Sequence, residues 1–240
     1  MTQLLVSVKN VEEARVALAA GIDVIDLKDP AIGALGALDK RTIAQILQAI
    51  GGHTAVSATI GEGHMRLDQI TQDIRIYAGL GVDIVKIGVN PLFYQQDFIS
   101  EMLSLTTTGI KIVAVFFGDE NVDFGLFPLL QGARFYGAML DTNAKQRPLV
   151  EHQSDRVLSM FVDLCVKHDL ISGLAGSLKP QHLDKLTQIH PTFVGFRGGV
   201  CENDVRESKL SSEKVVYVKN MLYKHNNMVE VGLAGALCIA

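Results

Sequence analysis

Short runs rich in Val, Ile and Leu alternate with longer amphipathic stretches from one end of this 240-residue chain to the other, and no linker interrupts them. The runs fall at 4–8, 24–28, 55–60, 84–89, 111–117, 135–141, 171–177 and 193–197; their β-branched content and near-continuous apolarity predict strands buried on both faces. Helices are predicted at 11–20, 40–50, 67–80, 97–107, 122–131, 154–168, 180–189 and 212–225. Strands separated by helical crossovers make a parallel sheet, and eight such units in this length fit a closed TIM-type (β/α)8 barrel better than an open doubly wound sheet. Gly21, Gly51 with Gly52, Gly81 and Gly109 follow the first four helices, where a left-handed residue often ends a helix. The barrel is expected to span 1–227. The apolar segment 228–240 is expected to pack across the barrel bottom or in an oligomer contact, being too short to cross a membrane.

Composition narrows the function. With 48% hydrophobic and 20% charged residues, the chain has enough apolar surface to form a core. Its 22 basic and 26 acidic residues give a net charge of −4, with no block of like charges, so a basic nucleic-acid-binding surface is not expected. Cys165, Cys201 and Cys238 form no CxxC pair, which argues against a disulfide framework or a cysteine zinc site and for a reducing compartment. The amino end has no basic stretch followed by a long apolar one. A cytoplasmic protein without membrane attachment is expected.

In a (β/α)8 barrel the chemistry sits at the carboxyl ends of the strands. The second run reads VIDLKDP, where Asp26 and Lys28 point the same way, about 6.6 Å apart along the strand. The fourth reads DIVKIGV and sets Lys86 among apolar neighbours; the sixth ends in Asp141, with Lys145 in the loop beyond. A lone strand-end charge usually reaches solvent. Alternate strands, however, fill the same interior layer, so charges on strands two, four and six meet in one space. Lysines there suit carbonyl chemistry. Only about one lysine in 2500 is neutral at pH 7, and bringing the pKa to neutrality takes about 4.6 kcal/mol, which burial and a second ammonium can supply. Asp26 and Asp141 would then serve as acid–base groups.

The seventh run ends LAGSLKP and the eighth GFRGGVC. Glycine-rich loops after strands seven and eight commonly grip phosphate in this fold, so Gly176, Ser177, Gly198 and Gly199 are expected at a substrate phosphate, with Arg197 adding a bidentate contact. Tight turns alone would explain the glycines of either loop, but less readily those of both. No metal, nucleotide or serine-hydrolase motif is present. His64 and Arg66, after the third strand, read as a solvated loop pair.

These residues carry a resemblance. LLVSVKNVEEA, GIDVIDLKDPAIGALGA, VSATIG, the KIG of strand four, MLDTNAK, LAGS and GFRGGVC resemble the (5-formylfuran-3-yl)methyl phosphate synthases of methanofuran biosynthesis, over most of the chain. The resemblance implies a Schiff-base barrel, a lyase without cofactor, that condenses two molecules of glyceraldehyde 3-phosphate with loss of phosphate and water. It implies that Lys28 forms the imine, that Asp26, Lys86, Asp141 and Lys145 are catalytic, and that Ser177 with Arg197, Gly198 and Gly199 holds phosphate. EGHMRLD, FFGDEN and the QRP after Lys145 depart from the pattern, so substrate handling or assembly is expected to differ there, and the apolar tail, an extension of the pattern, points to a variant branch. The expected partners are a small phosphorylated aldehyde and further copies of the chain. Lys86 is the alternative imine former. The rival readings are another class I aldolase or phosphosugar isomerase, and a non-catalytic barrel that binds a phosphometabolite.

Overall fold

The computed structural model describes residues 1–61 and 66–237, with side chains through Asn227. Eight parallel strands close into a barrel in chain order: β1 (Gln3–Val8), β2 (Val24–Leu27), β3 (Ala55–Thr59), β4 (Ile84–Gly88), β5 (Lys111–Phe117), β6 (Gly137–Asp141), β7 (Ile171–Leu174) and β8 (Phe193–Phe196). Around them run α1 (Val11–Ala19), α2 (Lys40–Ile50), α3 (Leu67–Leu80), α4 (Gln96–Thr107), α5 (Phe127–Gly132), the single turn α6 (Leu149–His152), α7 (Asp155–Lys167), α8 (Leu183–Thr187) and α9 (Ser212–Leu237). The expected (β/α)8 barrel is the observed fold.

Local chemistry sets the joints. Asn10, Asp39 and Ser154 accept backbone N–H groups at the starts of α1, α2 and α7, satisfying donors that the helix itself leaves unpaired. Gly51 and Gly81 take left-handed conformations where α2 and α3 end. β7 stops at Leu174, short of the predicted 177, because Gly176 (φ +102°) and Ser177 (φ +49°) have left the extended region. The helix predicted over 122–131 is a 310 turn at Phe124–Leu126 running into α5, with Pro128 in its first turn.

The predicted end of the last helix at 225 is corrected: α9 continues to Leu237. Asn226 lies within it. Its amide accepts the Thr2 N–H at 3.0 Å and donates to the Thr2 carbonyl at 2.8 Å, tying the helix to the start of β1. Helix therefore crosses residue 227, and the packing expected of the 228–240 side chains lies outside the described residues.

Two apolar layers hold the barrel. The outer layer packs strand faces such as Leu4, Val6, Ile25 and Leu140 against the helices. The inner one, around Leu5, Val24, Ile84, Val113, Met139 and Phe193, fills the barrel's lower interior. Each such side chain contributes about 1.5–3 kcal/mol on burial. Small residues set the strand spacing: a Cβ on Gly137 would lie 2.3 Å from Ile171 Cγ1 and 2.6 Å from the Ile171 carbonyl oxygen. The expected effect of Gly137→Ala is a loss of about 1–3 kcal/mol from overpacking, a fall in Tm of about 2–10 °C. Calorimetry checks it; an unchanged Tm would contradict the close approach.

Candidate active site

Above the apolar floor the interior becomes charged. Asp26 of β2 is wholly buried and stands in register with Ser7 of β1 and Ser57 of β3. Both hydroxyls donate to its carboxylate, Ser7 Oγ to Oδ2 at 2.8 Å and Ser57 Oγ to Oδ1 at 2.7 Å. Lys86 of β4 adds its ammonium, 2.6 Å from Oδ1. Burial alone would raise the Asp26 pKa, but Lys86, Lys28 and these hydrogen bonds outweigh it and hold the carboxyl below its ordinary value. Lys86 moves down too: burial lowers its pKa, Asp26 opposes and Lys28 reinforces the fall.

Lys28 lies one residue past β2, its N–H donating to the Val8 carbonyl at 3.1 Å so that the ladder continues beneath it. Its ammonium is buried and sits 3.5 Å from Asp141 Oδ2. Asp141 ends β6. Its Oδ1 accepts the Thr142 N–H at 2.7 Å and the Lys145 ammonium at 2.7 Å, and Lys145 donates also to the Thr142 carbonyl. Burial works against the ionised Asp141, yet Lys145 and Lys28 keep its pKa well below the usual carboxylate range. Burial and the Lys28 charge lower Lys145, against the pull of Asp141.

These five charges line one cavity of about 410 Å³, together with Gly176, Ser177, Gly198 and Gly199 from the loops after β7 and β8. The two loops touch: a Cβ on Gly199 would lie 2.4 Å from the Leu178 carbonyl oxygen, and one on Gly176 would lie 2.8 Å from the Thr142 nitrogen. The Ser177 hydroxyl donates to the Lys145 carbonyl at 3.0 Å, joining the loop after β7 to the one after β6.

Arg197 lines the same cavity, but its guanidinium is turned to partners within the chain. Its guanidinium meets Glu13 of α1 in the forked geometry expected for phosphate, at 2.5 and 3.1 Å. Its remaining N–H groups go to the carbonyls of Ser7, Arg206 and Ser208. A buried guanidinium needs a compensating anion, and the chain supplies one. His64 lies outside the described residues, while Arg66 pairs with Asp68 at 2.6 Å at the exposed start of α3.

Sequence reading missed Ser7, Ser57, Thr142 and Glu13, and also Lys179, His182 and Arg206, which line the cavity mouth. Register alone could have found the two serines. The His182 ring accepts the Lys179 N–H at 3.1 Å, and burial lowers its pKa. Among the described residues, no group of three or more His, Cys, Asp or Glu is placed to hold a metal ion, and no helix is long and apolar enough to cross a membrane.

A parallel (β/α)8 barrel with buried lysines and aspartates converging at the carboxyl ends of its strands is the frame of a barrel enzyme. The 4-HFC-P synthase family model matches residues 4–219, and the chain belongs to this enzyme family, the (5-formylfuran-3-yl)methyl phosphate synthases. It is 37% identical over 214 residues to a Methylorubrum extorquens protein that carries this synthase name provisionally, covering 89% of this chain and 88% of that one. It is 32% identical over 234 residues to the (5-formylfuran-3-yl)methyl phosphate synthase of Methanocaldococcus jannaschii, covering 91% and 98%. In fold it is similar to phosphoribosyl anthranilate isomerase from Thermus thermophilus, with a TM-score of 0.64 at 12% identity, covering 95% of this chain and 100% of that one.

The lowered carboxyl pKa values fix a pH dependence. Stability from Asp26 and Asp141 is present above the ordinary carboxylate pKa, about 3.9, and is lost as pH falls through the folded-state values. Asp141→Asn should cost about 3–5 kcal/mol at pH 7 by leaving two ammonium groups without their anion, and the deficit relative to wild type should shrink between pH 5 and pH 2. Urea unfolding across that range tests this; a deficit independent of pH would contradict it.

Proposed function

We propose that the chain is a (5-formylfuran-3-yl)methyl phosphate synthase of methanofuran or related one-carbon-carrier biosynthesis, joining two molecules of glyceraldehyde 3-phosphate through an imine on Lys28. Two triose phosphates less one phosphoric acid and two waters have the composition of the furan aldehyde phosphate, so the reaction needs no oxidant.

The observation that carries the assignment of Lys28 is the unequal restraint of the three lysines. Lys86 and Lys145 are held by carboxylates at 2.6 and 2.7 Å, whereas the nearest carboxylate oxygen to Lys28 among the described residues is at 3.5 Å. It is the amine freest to leave its counter-ion for a carbonyl carbon. Once the Lys28 ammonium has given up a proton, attack of its amine on the aldehyde gives a carbinolamine, loss of water gives the imine, and transfer of the proton at the adjacent carbon to a carboxylate of the site gives an enamine for the carbon–carbon bond. Asp141, kept ionised and in reach of both Lys28 and Lys145, accepts the proton released as the amine adds. Lys145 is an ammonium of lowered pKa and so a better proton donor to the departing water or phosphate. Asp26 and Lys86 form the deeper donor–acceptor pair for elimination and ring closure. Gly176, Ser177, Gly198 and Gly199 hold the phosphate that the product keeps.

Incubation with glyceraldehyde 3-phosphate should build a near-ultraviolet furan chromophore, and borohydride should leave one reduced triose-derived adduct per chain by intact mass. Lys28→Ala should lose the adduct and at least about 10³-fold in turnover. Furan production without any trappable adduct would remove the imine from the mechanism, and full activity of Lys28→Ala would remove Lys28.

A further inference from the structure

Arg197 has no hydrogen-bonding capacity left for a substrate. A guanidinium carries five N–H donors, and all five are committed: Nε to the Arg206 carbonyl at 2.7 Å, Nη1 to the Ser7 carbonyl at 3.1 Å and Glu13 Oε2 at 2.5 Å, Nη2 to Glu13 Oε1 at 3.1 Å and the Ser208 carbonyl at 3.0 Å. Glu13 is also buried, and its Oε2 accepts the Lys9 N–H at 2.9 Å. The pair therefore ties the end of β1, the first turn of α1 and the 206–208 segment into one unit.

That segment carries Arg206 to the cavity. Its backbone packs on Gly198, where an added Cβ would lie 3.7 Å from Arg206 Cβ, and its side chain lines the cavity beside Gly198 and Ser177. One Nη2 hydrogen goes to the Gly33 carbonyl at 2.8 Å, fixing the side chain across to the loop after β2. Glu207 approaches Nε only to 3.8 Å. Among the described residues the other N–H groups of Arg206 make no hydrogen bond, and its charge is close enough to Lys145 to oppose that ammonium. A half-anchored guanidinium at glycine-rich loops has the planar donor geometry that phosphate oxygens accept.

We propose that Arg206 is the guanidinium that binds substrate phosphate, and that the buried Arg197–Glu13 pair is a positioning unit that presents it. This rests on the reading of the substrate as a triose phosphate. A phosphate ligand that donates from a fixed side chain, rather than one that must first leave Glu13, also avoids stranding a buried carboxylate without its partner.

The test titrates inorganic phosphate into the whole protein by calorimetry, with Tm measured on every variant. Arg206→Gln should weaken phosphate binding ten- to a hundred-fold with Tm within about 2 °C of wild type, and Arg206→Lys should recover part of the loss. Glu13→Gln should lower Tm and weaken phosphate binding several-fold in the wild-type background, but less than twofold when Arg206 is already Gln, because its effect passes through Arg206. Arg197→Lys should follow the same pattern. Phosphate affinity within twofold of wild type in Arg206→Gln would overturn the assignment, as would loss of binding in Arg197→Lys at unchanged Tm, or no phosphate binding by the wild type at millimolar concentration. Phosphate binding that behaves as expected, without a borohydride adduct on Lys28, would remove the imine reading and leave this assignment standing.

Discussion

A carboxylate buried at the centre of the barrel organises the site around it. Asp26 has no contact with solvent, and an ionised carboxylate in such a place is several kcal/mol too costly unless its oxygens are met. Ser7, Ser57 and Lys86 meet them from the three strands β1, β3 and β4. That arrangement requires the observed parallel register, because Ser7, Asp26 and Ser57 stand level only in that pairing. Slipping β2 by one residue would turn Asp26 outward and leave Lys86 without its anion. The same bonds hold Lys86 where it stands, and of Lys28, Lys86 and Lys145 it is Lys28 that is left with the loosest ion pair.

The buried charges form two separate groups. One runs from Lys86 and Asp26 through Lys28 to Asp141 and Lys145, a path of alternating sign in which every cation has a carboxylate within 3.5 Å. The other is the Arg197–Glu13 brace, which sits where the chain from β8 turns back over β1 and is closed on itself. The two groups are thus kept apart: the brace spans elements far apart in sequence, while the lysines and aspartates of the cavity sit on strand ends that the barrel already aligns. The chain's net negative charge is compatible with this, since the cavity gathers lysines and arginines that the rest of the surface outweighs.

The fold was legible because burial on both faces writes itself as continuous apolar runs, and the charges on β2, β4 and β6 were legible because they interrupt such runs. What escaped was everything set by long-range partners. Glu13 reads as an ordinary first-turn acid of α1, and nothing local says that it lies against Arg197, 184 residues away. Ser7 and Ser57 read as neutral strand residues until the register places them beside Asp26. Asn226 reads as an ordinary polar residue until the fold pairs its amide with both backbone groups of Thr2. Arg206 sits in a polar segment with no periodicity to mark it.

In the proposed mechanism, restraint by Asp26 and Asp141, more than depth in the barrel, decides which lysine reacts. Peptide mapping of the borohydride-trapped adduct in wild type and in Asp26→Asn tests it most directly. The Asn variant frees Lys86 from its carboxylate, so it gives the deeper lysine its best chance to compete. The adduct is expected on Lys28 in the wild type, with Lys86 labelled only once Asp26 is replaced. Labelling of Lys86 in the wild type would contradict it.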